Sequence, residues 1–257
     1  MSKVKIIGVI PARLASTRFD RKVLYKFENL EMIEHVRRRA LLSELVNEVY
    51  VASCDDLILN LVRRFNGKTI KTGNNHLNGT SRVAEAIEKI DCSHVILLQG
   101  DEPLILPSHI NKLIKNINKS PEINCWNATS KINKFEELNL NSIVKCSISE
   151  NNYIISCFRK TPYNCSFENQ KYVIKKVLGI IAFEKEFLLE ITKLKDTAIS
   201  IFESIEQMKI IEHDYKLKSF DVFPNLPSVN EKSDIEIINK TFKNSKLQRK
   251  FLKMILR

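Results

Sequence analysis

Only six of the 257 residues are glycine, and none falls in a G-x-x-x-x-G-K-[ST] or G-x-G-x-x-G arrangement. A P-loop and a dinucleotide-binding fingerprint are therefore both excluded. No stretch approaches the ~20 apolar residues that a bilayer crossing requires. The six cysteines (Cys54, Cys92, Cys125, Cys146, Cys157, Cys165) are scattered, with no C-x-x-C pair and no Cys/His cluster. Zinc spacing and a disulfide framework are thus absent, and most of these residues sit in apolar runs where reduced Cys acts as a small hydrophobe. The short apolar run after Met1-Ser2-Lys3-Val4-Lys5 is interrupted by Pro11 and Arg13, with no small-residue cleavage site after it. That is no signal peptide, and the expectation is a cytoplasmic protein without a membrane partner.

What is present is an ordinary soluble balance of 44% hydrophobic and 28% charged residues, with length enough for one large domain or two small ones. The net charge of +11 raises the question of nucleic acid. Lysines are dispersed, however, and no helix-turn-helix, zinc finger or aromatic RNA-binding signature accompanies them. Cations cluster only at Arg13, Arg18, Arg21 and Lys22 and in the tail from Lys240 to Arg257. The first group suits a small polyphosphate. The second reads as an amphipathic terminal helix with Phe251, Leu252, Met254 and Ile255 as its apolar members, giving a solvated face or a subunit contact.

Val4–Ile10, Val49–Ala52, Thr69–Lys71 and His94–Leu98 read as strands. Helical spacing occurs at Met32–Leu41, at Leu57–Phe65 behind the capping candidates Asp55 and Asp56, at Val83–Ile90, and from Pro107 onward. This alternation predicts an α/β fold with an open, mostly parallel sheet, whose ligands sit beyond the carboxyl ends of the strands. From about residue 124 shorter strands follow (Cys125–Ser130, Ile143–Ile148, Ile154–Arg159, Val173–Phe183). They suggest a β-rich subregion over 124–183 that covers the sheet like a lid within a single domain. Helices near Ser200–Glu212 and Glu231–Phe242 flank a last strand at Leu217–Val222.

Three segments carry chemistry. Pro11-Ala12-Arg13-Leu14-Ala15-Ser16-Thr17-Arg18-Phe19-Asp20-Arg21-Lys22 follows a buried strand and offers four cations and two hydroxyls. Charge-assisted hydrogen bonds from such a loop suit a triphosphate; the bland reading is a solvated basic loop. Gln99-Gly100-Asp101-Glu102-Pro103 puts a carboxylate where a strand stops, a natural magnesium ligand beside substrate phosphates or simply a good turn. His76-Leu77-Asn78-Gly79-Thr80-Ser81-Arg82 opens a helix, where Thr80 and Arg82 would hold a base or ribose, or Thr80 would serve as a plain cap.

Taken in order, P-A-R-x-A-S-T-R, H-x-x-G-T-x-R-x-x-E and Q-G-D-E-P closely resemble the 3-deoxy-manno-octulosonate cytidylyltransferases, or CMP-Kdo synthetases. Asn141-x-x-Val144-Lys145, Arg159, Leu178-Gly179 and Glu203-Ser204-Ile205-Glu206-Gln207 continue the likeness, which spans roughly residues 5–240. The resemblance implies a Rossmann-like nucleotidyltransferase domain of the nucleotide-diphospho-sugar transferase type. It also implies a homodimer whose β-rich region contributes to the sugar pocket and the dimer contact. It implies attack of the sugar's anomeric hydroxyl on the α-phosphorus of CTP. Arg13, Arg18 and Lys22 would act on the triphosphate, with Ala12 and Ser16 beside it. Thr80, Arg82 and Gln99 would hold cytidine, Asp101 the Mg2+, and Arg159, Glu203 and Gln207 the acidic sugar. The chain departs from that pattern at Asp20-Arg21 (Pro-Gly in the family), Phe158 (Ser), Val177 (His) and Asn230, where the family has a second metal-binding Asp. A different acidic sugar, or nucleotide binding without turnover, are the alternatives these departures leave open.

Overall fold

The computed structural model describes residues 4–15 and 19–256, which form two compact units, Met1–Ile114 with Leu226–Arg257, and Lys115–Asn225. The chain runs β1 (Ile6–Ala12), β2 (Lys26–Phe27), β3 (Leu30–Glu31), α1 (Met32–Leu41), β4 (Glu48–Ser53), α2 (Asp56–Arg64), β5 (Lys68–Lys71), α3 (Gly79–Ile87), β6 (His94–Leu98) and α4 (Pro107–Lys119). Then follow β7 (Cys125–Lys131), α5 (Glu136–Asn139), β8 (Lys145–Ile148), β9 (Tyr153–Phe158), α6 (Phe167–Val173), β10 (Ile174–Glu184), α7 (Lys185–Ile191), α8 (Ala198–Glu203), α9 (Glu206–Glu212) and β11 (Leu217–Asp221). Helices α10 (Asp234–Asn244) and α11 (Lys246–Ile255) belong again to the first unit.

In the first unit the strands lie in the order β5-β4-β1-β6, and every pairing is parallel. Ile7, Val9 and Ile10 of β1 and Val95 to Leu98 of β6 are buried to the last atom, as continuous apolar runs require. The basic loop after β1 is closed at its root: the Leu14 amide donates to the Asp55 carboxylate at 2.9 Å, and the Arg21 amide to the Leu14 carbonyl at 3.1 Å. Asp55 therefore does not cap α2 with its side chain; the loop claims that carboxylate first. Thr80 is not the cap of α3 either, because Asn78 holds that position and accepts from the Ser81 amide at 2.9 Å. The β2–β3 turn places Glu28 and Asn29 at φ 49° and 64°, the geometry of a two-residue type I′ hairpin.

Phe19, Phe27, Met32, Leu104, Val229, Ile238 and Phe242 form one buried cluster against which Leu252 packs. The helix expected near Glu231–Phe242 and the expected terminal helix are α10 and α11, separated by Ser245, which takes an extended conformation as the N-cap of α11. Its buried members, Gln248 and Ile255, face the molecule's own interior, while Met254 stays exposed.

The second unit pairs β10-β7-β11-β9-β8, and β8 pairs again with β10, so the pairing returns on itself. Only β7–β11 is parallel here. A mostly parallel sheet thus describes the first unit alone, and the strand pairing of the protein is mixed. Short loops, such as the turn at 149–152 between β8 and β9, cannot supply the crossover that a parallel pair needs. The helix expected over Ser200–Glu212 is broken at Ser204, whose φ of 51° ends α8 before α9 begins. β10 slips register against β7 between Val177 and Ile181. There the buried Asn127 amide donates to the Leu178 carbonyl at 3.0 Å and the Ala128 carbonyl at 2.9 Å.

Lys145 is buried outright, its ammonium donating to the Leu140 and Ile143 carbonyls at 2.9 and 2.8 Å. Burial, then the charge of Arg159, pulls its pKa down to about 8, against the opposing pull of Glu203. Between about pH 8 and the ordinary lysine value the unfolded chain holds this proton and the folded one does not, so Lys145's contribution to stability rises with pH. The buried thiols Cys125, Cys146 and Cys157, pushed up by burial, act in the opposite sense above their ordinary range. The stability difference between the native protein and Lys145→Met, measured by urea unfolding, should therefore move in the native protein's favour from pH 8 to pH 10. A flat difference would contradict the assignment.

Arg21 holds a left-handed conformation, φ 51° and ψ 28°, which costs a side-chain-bearing residue about 1–2 kcal/mol. Its ion pair with Asp20, at 3.8 Å and well exposed, returns little. Glycine there loses roughly 0.5–1 kcal/mol of unfolded-chain entropy. Arg21→Gly should thus be neutral or stabilising by about 1 kcal/mol, and Arg21→Val destabilising, both read from urea midpoints.

Candidate functional site

Three of the loops singled out in the sequence converge at the carboxyl ends of β1 and β6, neighbouring parallel strands. A Cβ on Gly79 would stand 3.2 Å from Pro11 Cγ and 3.7 Å from Gln99 Nε2. One on Gly100 would meet the Pro11 carbonyl at 3.5 Å and Val23 Cγ1 at 3.6 Å. The end of β1, the start of α3 and the turn after β6 are therefore packed closely, with glycine at the two tightest points. Ala12 closes β1 opposite Ser53, and Arg13 is exposed immediately after it. Ser16 and Arg18 lie outside the described residues.

Lys22 opens a short 3-10 turn, and its ammonium donates to Asp101 Oδ2 at 2.6 Å and to the Val229 carbonyl at 3.0 Å. The Val229 amide in turn donates to the Asp101 carbonyl at 2.9 Å. Side-chain exposures of 15% and 23% leave the Lys22–Asp101 pair open enough to exchange partners and shielded enough to strengthen it. Asn230 follows directly. Its backbone amide and that of Glu231 donate to Asp234 Oδ2 at 2.7 and 2.8 Å, and its side-chain amide donates to Ser228 Oγ at 3.2 Å. Among the described residues no group of three or more His, Cys, Asp or Glu could hold a metal. Asp101 offers a single carboxylate.

The loop before α3 is braced by the motif's own polar residues. His76 hydrogen-bonds to Glu85, whose carboxylate also accepts the Gly73 amide at 3.1 Å. Burial works against that carboxylate's charge, but the bonds from His76 and Gly73 and the charge of Arg82 outweigh it and lower its pKa. Arg82 is buried, with Nη1 on Thr72 Oγ1 at 2.6 Å and the Gly73 carbonyl at 3.1 Å. It shapes the loop that presents Thr80, a half-buried residue of the first turn of α3.

Arg159, Glu203 and Gln207 belong to the second unit. Arg159 accounts for much of its own guanidinium: Nε donates to the Glu203 carbonyl at 2.7 Å, Nη1 to that of Asn141 at 2.6 Å and Nη2 to that of Ser204 at 3.1 Å. The Arg159 amide also donates to Glu203 Oε2 at 3.1 Å. Gln207 Nε2 donates to Asn127 Oδ1 at 2.9 Å. Phe158 is a core residue, buried with Ile132, Leu138 and Ile174, so an aromatic ring at this position fills the interior.

The sequence pattern gives no sign of Thr72, Asn127 and Asp234, and it marks Asp55 only as a helix cap. Each acts through a backbone group or a partner that local spacing does not mark.

Comparison with known proteins extends the likeness over nearly the whole chain. The family model described as Cytidylyltransferase matches residues 7–219. A 3-deoxy-manno-octulosonate cytidylyltransferase of Fusobacterium nucleatum is 36% identical over 92% of this chain and 96% of its own. An 8-amino-3,8-dideoxy-manno-octulosonate cytidylyltransferase of Shewanella halifaxensis is 33% identical, covering 89% and 95%. Among solved structures, a CMP:2-keto-3-deoxy-manno-octonic acid synthetase complexed with CTP superposes with a TM-score of 0.86 at 30% identity, covering 93% of this chain and 98% of that one. The fold is thus that of the α/β nucleotidyltransferases, and with the family model spanning both units this chain belongs to the cytidylyltransferase family.

Proposed function

We propose that this protein transfers the CMP group of CTP to the anomeric hydroxyl of the acidic sugar 3-deoxy-manno-octulosonate. That oxygen forms a bond to the α-phosphorus, the α–β phosphoanhydride bond breaks, and pyrophosphate leaves. The observation that carries this reading is the Lys22–Asp101–Val229 contact, built where three family motifs meet in a chain similar end to end to a CTP-bound synthetase.

In this reading Arg13 and Lys22, with Arg18 and Ser16 on the resemblance, bind the triphosphate and the charge that develops on pyrophosphate. Gln99 and Thr80 hold the cytidine, and Arg82 acts by fixing the loop around Thr80. Arg159 fixes Glu203 and the following peptide, so that Glu203 and Gln207 orient the sugar. A lone carboxylate beside a phosphate loop fits Mg2+, which takes one or two protein carboxylates and completes its shell with phosphate and water. When bound at Asp101 it would neutralise phosphate charge. Most of the protein's contribution is positioning.

Incubation with each nucleoside triphosphate, Mg2+ and a panel of acidic sugars, with mass detection of the nucleotide sugar, tests the proposal. The CMP adduct of 3-deoxy-manno-octulosonate is the expected product. Preference for the 8-amino sugar would match the Shewanella relative instead, and CTP binding without any adduct would sink the enzymatic reading. Asp101→Asn should lower turnover about 10²–10³-fold with an unchanged unfolding midpoint, as loss of an electrostatic stabiliser does.

Asn230→Asp adds a carboxylate one residue beyond Val229. Ligand charge strengthens hard-cation sites, so the magnesium concentration for half-maximal rate should fall severalfold. Superimposable curves would put position 230 away from the metal.

A further inference from the structure

The turn that carries Asp101 continues through Leu104 and Ile105, both buried, before α4 begins at Pro107. Within it the Glu102 amide donates to the Gln99 carbonyl at 3.3 Å and the Ile105 amide to the Glu102 carbonyl at 3.1 Å. Buried carbonyls beyond these need donors from elsewhere in the fold. Two fully buried side chains supply them. Gln248 Nε2, on α11, donates to the Leu104 carbonyl at 2.9 Å, and Arg39 Nη1, on α1, reaches the Ile105 carbonyl at 3.5 Å.

We propose that α11 braces the Asp101 turn from behind, with Gln248 as a positioning residue for Asp101. The inference rests on the reading of Asp101 given above. The turn is then held on two sides, by the Val229 amide at Asp101 and by Gln248 three residues on. The brace itself is anchored: Arg38 Nη1 donates to the Ile255 carbonyl at 2.6 Å, and Leu252 packs on the cluster that contains Leu104 and Val229. α11 lies beyond residues 7–219, so it is no part of the segment that the family model describes.

Arg39 points the same way. Its guanidinium is buried without a carboxylate partner among the described residues, lying 5.6 Å from the ring centre of Phe242 and 6.0 Å from that of Phe251. Its Nε and Nη2, and Gln248 Oε1, find no hydrogen-bond partner among the described residues. A buried charge left in that state is a poor source of stability, whereas a donor aimed at the turn's carbonyl is what the turn requires.

Gln248→Met removes the donor and keeps the bulk and the helix propensity. Amide hydrogen exchange across residues 99–106 should accelerate about tenfold. The magnesium concentration for half-maximal rate should rise severalfold, with turnover at saturating magnesium within about twofold of the native value. Ile255→Ala, at a buried position seven residues further along the same helix, controls for simple loss of stability. It should lower the unfolding midpoint and leave both readouts in place. Unchanged exchange in Gln248→Met overturns the proposal, as does an equal acceleration in Ile255→Ala. Asp101→Asn decides the underlying reading separately. If it leaves the magnesium curve intact while Gln248→Met still loosens the turn, the metal assignment fails and the brace stands.

Discussion

A lysine and an aspartate held 2.6 Å apart set the geometry on which the first unit's chemistry depends. Strands end where their ladder partners end, and the loops beyond must find other ways to stay in place. Lys22 solves this for two loops at once, binding the Asp101 carboxylate and the Val229 carbonyl, while the Val229 amide returns to Asp101. The contact is electrostatic on its part-exposed side and apolar behind, where Phe19, Leu104, Val229 and Phe242 share one cluster.

The second unit orders its polar residues differently. Asn127 spans the register slip of β10 and hands its carbonyl oxygen to Gln207, and Arg159 gathers the carbonyls of Asn141, Glu203 and Ser204. Buried networks of this kind fix one arrangement in preference to its near neighbours, because a partly satisfied network is costly. Few of the partners are side chains of the sugar-site motif itself. Residues taken as sugar ligands on resemblance are thus also the residues that hold their own loop in shape.

Sequence and structure agree most where one force dominates. The parallel strands were legible because burial on both faces leaves a continuous apolar run, and β1, β4, β5 and β6 fall within two residues of their expected limits. The chemistry-bearing loops were legible because the motifs there are short and ordered. The strands β7 to β11 of the second unit also fall within two residues of their expected limits, whereas its helices α5, α6 and α7 were not legible, being seven residues or fewer and too brief for periodicity to register. Long-range pairs were invisible for a different reason. Asp55 looks like a helix cap until the Leu14 amide, 41 residues away, is brought beside it. Phe158 looked like a changed sugar contact, and its ring proves to be part of an apolar cluster.

The first unit is written in two instalments, with the whole second unit between them. Lys22 and Asp101 are 79 positions apart, and Lys22 and Val229 are 207 apart. During synthesis the parallel strands and the second unit emerge and can fold while Lys22 still has only one of its two partners. Contacts of such sequence separation form late because the chain between their ends must be ordered first. A ribosome that stops before residue 229 therefore releases a chain with its parallel strands complete and Lys22 half-tethered, on Asp101 but not yet on Val229.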